Sequence, residues 1–214
     1  MIKFGQYLVA LGMAGFYVAP GHAQNAYLEF NSFGMPGAID TPSASTLPDG
    51  TLMFTGLSMP QSWRGTLTFQ ALPRVTIALR YSDVDSISYR RRTGTGLRDR
   101  SFDGHFLVFN EGQYTPAIAV GLRDFIGTGA YSSEYVVASK TLSPQLRVST
   151  GLGWGQLATQ GAFANPLGAL DSGFNERPGG YTGLGGRIEG QRFFRGDTAA
   201  FGNLEYQLNP DLSF

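Results

Sequence analysis

The chain has 214 residues, 30 of them Gly and none Cys, and its 16 basic and 16 acidic side chains cancel. Charged residues make up 15% of it, where a soluble domain carries roughly 25%; a 42% hydrophobic fraction with a mean hydropathy of −0.09 excludes both a disordered chain and a helical membrane protein. Neutrality removes the electrostatic case for nucleic acid as a partner, and the missing Cys removes disulfide scaffolding, thiolate zinc sites, thiol catalysis and a lipid-modified N-terminal Cys.

Residues 1–23 read as a secretory signal peptide. Lys3 gives the positive start, Phe4 to Ala19 is apolar, and Gly21 and Ala23 are the small residues a signal peptidase reads. Residues 24–50 are expected as an extended N-terminal segment, followed by β-structure over 51–214. In Trp63 to Ala71, the residues Trp63, Gly65, Leu67, Phe69 and Ala71 share one face, with Arg64, Thr66, Thr68 and Gln70 opposite. After the turn Leu72-Pro73-Arg74, Val75, Ile77, Leu79 and Tyr81 alternate with Thr76, Ala78, Arg80 and Ser82. The same period of two predicts strands at Ser101 to Asn110, Thr115 to Asp124, Ser133 to Lys140, Leu146 to Trp154, Arg187 to Phe194 and Ala200 to Leu208, with Thr51 to Ser58 before them. Single-chain bacterial barrels use even strand counts, so Tyr27 to Phe33 is the candidate for a tenth.

Connections alternate in length. Leu72-Pro73-Arg74, Glu111-Gly112-Gln113 and Leu142-Ser143-Pro144 are short; Val84 to Arg100, Ile126 to Ser132 and Leu157 to Leu184 are longer and rich in Gly and polar residues. Together with strands long enough to cross a bilayer at a tilt, this predicts an all-β antiparallel meander forming a transmembrane β-barrel, or part of a larger one. Lipid would then meet the apolar faces, and Arg64, Arg80, Asp103, His105, Arg123 and Arg147 would face the lumen. Trp63, Tyr81, Phe102, Tyr114, Phe125 and Trp154 lie near strand ends, as interfacial girdles require. A soluble β-sandwich shows the same alternation, with the apolar faces buried against each other.

Motifs for covalent chemistry are sparse. His105 is the one His past the signal segment, too few for a His cluster, and no metal or cofactor site is expected. Gly94-Thr95-Gly96 and Gly151 to Gly155 lack the following helix that a phosphate loop needs. Asp99, Asp103, Asp124 and Glu134 are the carboxylates from which a glycosidase pair would be drawn. The densest charge is Arg90-Arg91-Arg92 with Arg98 and Arg100, assigned to one long loop. These forks suit acidic sugars, phosphate substituents or lipopolysaccharide phosphates; a solvated loop held open by self-repulsion is the plainer reading.

The run Phe33-Gly34-Met35-Pro36-Gly37-Ala38-Ile39-Asp40-Thr41-Pro42, followed by Leu47-Pro48-Asp49-Gly50, resembles the N-terminal signature of the YjbH-like exopolysaccharide biosynthesis proteins. Asp99 to Asp103, Pro116 to Gly129, Tyr131 to Tyr135, Gly151 to Gly155 and Asn165 to Gly168 resemble that family in the same order. The resemblance implies a bacterial outer-membrane β-barrel protein, here an N-terminal portion of the longer family members, that assists exopolysaccharide or capsule biosynthesis or export without catalysing a reaction. It implies exopolysaccharide or lipopolysaccharide, outer-membrane lipids and other polysaccharide-export proteins as partners. Two rivals stay open: a soluble periplasmic β-sandwich that binds glycan or acts as a scaffold, and a glycan-modifying enzyme.

Overall fold

The computed structural model describes residues 29–85, 96–179, 186–188, 190–209 and 212–213. The expected signal peptide and the run Arg90-Arg91-Arg92 lie outside the described residues.

The described chain is all-β. A two-residue hairpin, β1 (Gly37–Ala38) and β2 (Thr41–Pro42), precedes a meander of β3 (Leu52–Met59), β4 (Ser62–Leu72), β5 (Val75–Val84), β6 (Leu97–Phe109), β7 (Ala117–Gly127), β8 (Ser133–Ser143) and β9 (Leu146–Trp154). The short β10 (Arg187–Ile188) pairs with β7, and β11 (Thr198–Asn209) and β12 (Leu212–Ser213) complete the sheet. Its order, β12-β11-β9-β8-β7-β6-β5-β4-β3, is antiparallel at every step. Among the described residues, β3 and β12 end that order without pairing to each other. Among the described residues, regular helix is confined to 3₁₀ turns, and no helix there is long and apolar enough to cross a membrane.

Several boundaries differ from the sequence reading. Arg187 to Phe194 is not one strand: pairing stops at Ile188, and Gly190–Arg192 forms a 3₁₀ turn. Leu97 already belongs to β6, so Arg98 and Arg100 lie on a strand rather than in the loop expected to run to Arg100. Residues 29–33 add no tenth strand, since Phe30 makes only an isolated bridge to Pro36. The covered part of 24–50 is also not extended. It turns back on itself and lies against the sheet.

Burial is the reverse of a soluble sheet. On the face toward residues 29–51, Thr68, Gln70, Thr76, Arg80, Ser101, His105 and Ser139 are sealed from solvent. On the opposite face, Leu67, Phe69, Ile77, Leu79, Phe102, Phe106 and Leu204 are each exposed by more than a third. A flat sheet of eight strands is about 34 Å wide at the usual inter-strand spacing, too wide for one short segment to seal. The sheet must therefore curl its polar face inward around residues 29–51. Apolar contact inside is small, formed by Ala44, Ala117, Ala119, Tyr135 and Val137 with Leu107, Leu157 and Phe201 beside them.

Two devices shape the curl. At Asp124 (φ 52°) the β6–β7 register slips between Phe102 and Gly104, so that Arg123 and Asp124 are both buried; a bulge re-aims side chains in this way. Gly121 lies between His105 and Tyr135 in the register of β6, β7 and β8. The Tyr135 ring folds over it, and the Tyr135 hydroxyl and His105 Nδ1 share a hydrogen bond of 2.9 Å. A Cβ on residue 121 would sit 2.0 Å from Tyr135 Cζ.

Between β9 and β11, described residues bond back to the Ser132–Glu134 start of β8 and to Gly127 at the end of β7. Arg177 grips Glu134 with both ends of its guanidinium, at 2.6 and 2.9 Å, and donates to Ser132 Oγ and Arg192 O. Trp154, expected at an interfacial girdle, is instead buried here, edge-on to Phe194 at 5.1 Å. Gly121→Ala is expected to lower the urea unfolding midpoint by the equivalent of about 1–3 kcal/mol, the usual cost of overpacking. The added penalty should vanish in a Tyr135→Ala background, read by a double-mutant cycle.

Candidate functional site

The site is built where residues 29–51 meet the polar face. Asn31 starts a tight turn, its Oδ1 accepting from the N–H groups of Phe33 (3.0 Å) and Met35 (3.2 Å), as Asn does in turns. Gly34 follows with φ 75° and fits so closely that a Cβ would meet Thr55 Oγ1 at 2.5 Å. The turn delivers Phe33 into a ring of cations: the guanidinium carbons of Arg123, Arg64 and Arg80 lie 3.6, 4.1 and 5.0 Å from its centroid. Tyr131 closes the other side, edge-on to Phe33 at 5.8 Å.

Hydrogen bonds tie the turn to the sheet. Arg64 Nη1 donates to Ser32 O at 2.8 Å, Arg123 Nη2 to Asp40 O at 3.3 Å, and Thr68 Oγ1 to Gly34 O at 2.6 Å. Further along, Ala44 N donates to Ser139 Oγ (2.8 Å), Leu47 N to Gln70 Oε1 (3.1 Å) and Asn203 Nδ2 to Thr41 Oγ1 (2.9 Å). Beneath Phe33, Arg80 pairs with Asp103, both fully buried. Asp103 Oδ1 also accepts from the Asp124 N–H at 2.8 Å, which locks the β7 bulge to β6. Asp124 Oδ2 accepts from Tyr131 N, and Asp99 Oδ1 from Thr128.

A second polar cluster sits at the short-turn end. Glu111 accepts from Thr141 N (2.8 Å) and Thr141 Oγ1 (3.1 Å), with Lys140 Nζ at 3.2 Å and Arg147 Nη1 at 3.6 Å. Burial works to raise its pKa, but these donors and cations together outweigh it and hold the carboxyl below its ordinary value of 4.5.

All six residues expected on the lumen side, Arg64, Arg80, Asp103, His105, Arg123 and Arg147, lie on the inward polar face; Arg147 keeps a little exposure. Of the proposed anion-binding arginines, Arg98 and Arg100 project from the outer face. Arg98 Nε is 3.4 Å from Asp83, an exposed pair, and Arg100 stands over Tyr81 at 5.9 Å. They are not joined to the inner cluster. The carboxylates Asp103 and Glu134 do not face each other either: Asp103 shares the His105–Tyr135 face, whereas Glu134 follows the opposite side of β8 and is held by Arg177. Sequence reasoning passed over Phe33, Tyr131 and Arg177 as functional side chains. The available signal was a polar strand face in need of buried partners.

Two outcomes follow. Asp103→Asn leaves Arg80 charged and without its counter-ion, and should cost about 3–5 kcal/mol, with part recovered in Asp103→Asn/Arg80→Met; chemical denaturation measures both. Because the folded-state pKa of Glu111 is depressed, its stabilisation is present above about pH 4.5 and is lost as pH falls through the folded value. The unfolding midpoint of Glu111→Gln should therefore change less with acidification below pH 5 than that of the unaltered protein.

The chain is 33% identical over 181 residues to a protein of Escherichia coli (strain K12) called "Uncharacterized lipoprotein YjbH". That alignment covers 83% of this chain and 26% of the relative, so the chain spans about a quarter of the relative's length. No solved structure matches. Residues 29–214 match the family described as "Exopolysaccharide biosynthesis protein YbjH", and so take in the Phe33 turn, the arginine cluster and every strand of the sheet. The chain belongs to the YjbH family, whose description concerns exopolysaccharide biosynthesis.

Proposed function

We propose that this chain forms an outer-membrane β-barrel, or a sector of a larger one, that assists passage or assembly of exopolysaccharide or capsule and performs no covalent chemistry itself. Inverted burial carries the reading. Leu67, Phe69, Ile77, Leu79, Phe102, Phe106 and Leu204 present an outer surface with no covering layer among the described residues, while charged and hydroxyl side chains are sealed inside. A soluble sandwich would turn the apolar set inward, and water tolerates contiguous exposed patches of only a few hundred Å². Acyl chains fit that surface.

In hydrocarbon, unpaired backbone at a sheet edge costs several kcal/mol per group. The free edges of β3 and of β11 with its short partner β12 therefore call for closure, by curling to meet each other or by joining further strands. The lipoprotein named among the relatives supports an envelope location, and the family description supports polysaccharide as the partner. Arg98 and Arg100 project outward beside Tyr81, where lipopolysaccharide phosphates would meet guanidinium forks. The engagement of Asp103 by Arg80 and of Glu134 by Arg177 supports a non-catalytic role.

The purified chain is expected to need detergent to stay monodisperse, and to migrate faster on a gel unheated than boiled. Ile77→Arg should destabilise it by about 2–4 kcal/mol if the position faces the bilayer midplane, against about 0.5 kcal/mol or less on a wet surface. Loss of the gene should reduce surface polysaccharide. Monodispersity in plain buffer together with a silent Ile77→Arg would instead establish the soluble reading.

A further inference from the structure

We infer that the Arg64, Arg80 and Arg123 cluster is a binding site for a saccharide bearing an oxyanion, and that the Phe33 turn occupies it as an internal lid. The inference rests on the proposed polysaccharide role and assigns the residues that would recognise the polymer.

Site and occupant are mismatched. Arg80 Nε, Arg80 Nη2 and Arg64 Nε are buried with no hydrogen-bond partner, although each guanidinium carries five donors in a planar fork. The Phe33 ring offers them a quadrupole and no oxygen. Cation–π contact is a weak replacement for the hydrogen bonds that buried donors lose. Carboxylate, sulfate or phosphate oxygens would meet donors that the ring leaves idle.

The lid also carries the acceptors that Arg64 and Arg123 now use. Arg64 donates to Ser32 O and Ser32 Oγ, and Arg123 to Asp40 O, all within the covering segment. Withdrawing residues 31–41 frees those donors at one stroke. It also removes the Asp40 carboxylate, which Ser32 Oγ bonds inside the segment. Arg80 remains neutralised by Asp103, so Arg64 and Arg123 supply the positive charge. Nearby, Asp99 Oδ1 accepts from Thr128 and Asp124 Oδ2 from the Tyr131 N–H, while Asp99 Oδ2 and Asp124 Oδ1 are buried without a partner, so an incoming anion meets the guanidinium forks of Arg64 and Arg123 rather than that side of the face. Tyr131, with Arg64 5.0 Å from its ring centroid, would remain as an aromatic wall for the sugar.

The absence of native Cys permits an unambiguous lock. Thr41→Cys/Asn203→Cys joins the lid to β11 at a contact that is already 2.9 Å between side chains. The full chain in detergent micelles would be tested, oxidised and reduced, against polygalacturonate, dextran sulfate and neutral dextran. The oxidised form should bind an anionic polymer at least about tenfold more weakly than the same sample reduced, because locking removes the competent population. Phe33→Ala should bind severalfold more tightly than the unaltered chain, and Arg64→Gln/Arg123→Gln should lose binding while keeping its heat-modifiable gel band. Response to polygalacturonate alone assigns the oxyanion to a sugar carboxylate, and response to dextran sulfate alone to an ester oxyanion; both uphold the site. Binding indifferent to the lock and to Phe33→Ala, or neutral dextran bound as well as the anionic polymers, overturns it. Detergent dependence and the heat-modifiable band, scored on the same samples, report separately on the barrel reading.

Discussion

A polar side chain shut away from water must find a partner, and this sheet shuts away arginines, aspartates, a histidine and a row of hydroxyls on one face. The rest of the structure follows from meeting that demand. Residues 29–51 supply carbonyls to Arg64, Arg123 and Thr68 and N–H groups to Ser139 and Gln70. Without that segment the inner face would need water or a ligand, and the fold of the sheet alone does not provide either. The apolar residues, which drive folding in a soluble protein by leaving water, are here pushed outward, so their contribution to stability depends on the solvent they meet. Strand pairing and the buried polar network must define the structure, and acyl chains complete it under the proposed function.

The network is also what fixes register. A one-residue slip would turn each alternating set to the wrong side, placing Arg80 and Asp103 among Leu79 and Phe102. The bulge at Asp124 shows how local the control is: one residue in the left-handed region brings two consecutive side chains inward, and Asp103 accepts the N–H of the bulged residue. Gly121 and Tyr135 act together in a similar way. The missing side chain on one strand makes room for a ring from the next, and that ring reaches across to His105 on the third.

Much of this was legible because the period of two in a strand is a geometric necessity. The alternation of Trp63 to Ala71 with its partner Val75 to Tyr81 predicted β4 and β5 to within a few residues, and the inward set Arg64, Arg80, Asp103, His105, Arg123 and Arg147 follows from the same parity. What failed did so where alternation carries no information. Leu97 to Arg100 reads as loop because its charges resemble the arginines before it, yet cross-strand pairing with β5 extends β6 there. Arg187 to Phe194 has strand-like residues, but Gly190 and the left-handed Phe194 (φ 57°) break it into a turn. Trp154 fits an interfacial aromatic by position, and only the described structure after β9, with Phe194 edge-on to it, shows it covered. The lid was invisible for a related reason: Asn31, Gly34, Pro36 and Gly37 announce turns, and turns do not say what they cover.

Size sets the last constraint. A closed barrel of eight strands has an interior just wide enough to be filled by side chains, and the described sheet has eight long strands, β3 to β9 and β11. Here the inner face already holds its own side chains and a folded segment that contacts β4, β7, β8 and β11. These groups occupy the face that a polymer would have to reach. Under the proposed function, then, the polymer either displaces residues 31–41 and takes their oxygen positions on the arginines, or it travels through a wider closure in which this sheet is one wall. In both cases the arginine face is the surface it meets. Its cations are fixed by strands and by the Asp103 pair, whereas the oxygens now facing Arg64 and Arg123 belong to a turn that Thr68 and Asn203 also hold, so the turn leaves only if the incoming oxygens compensate for all of these bonds.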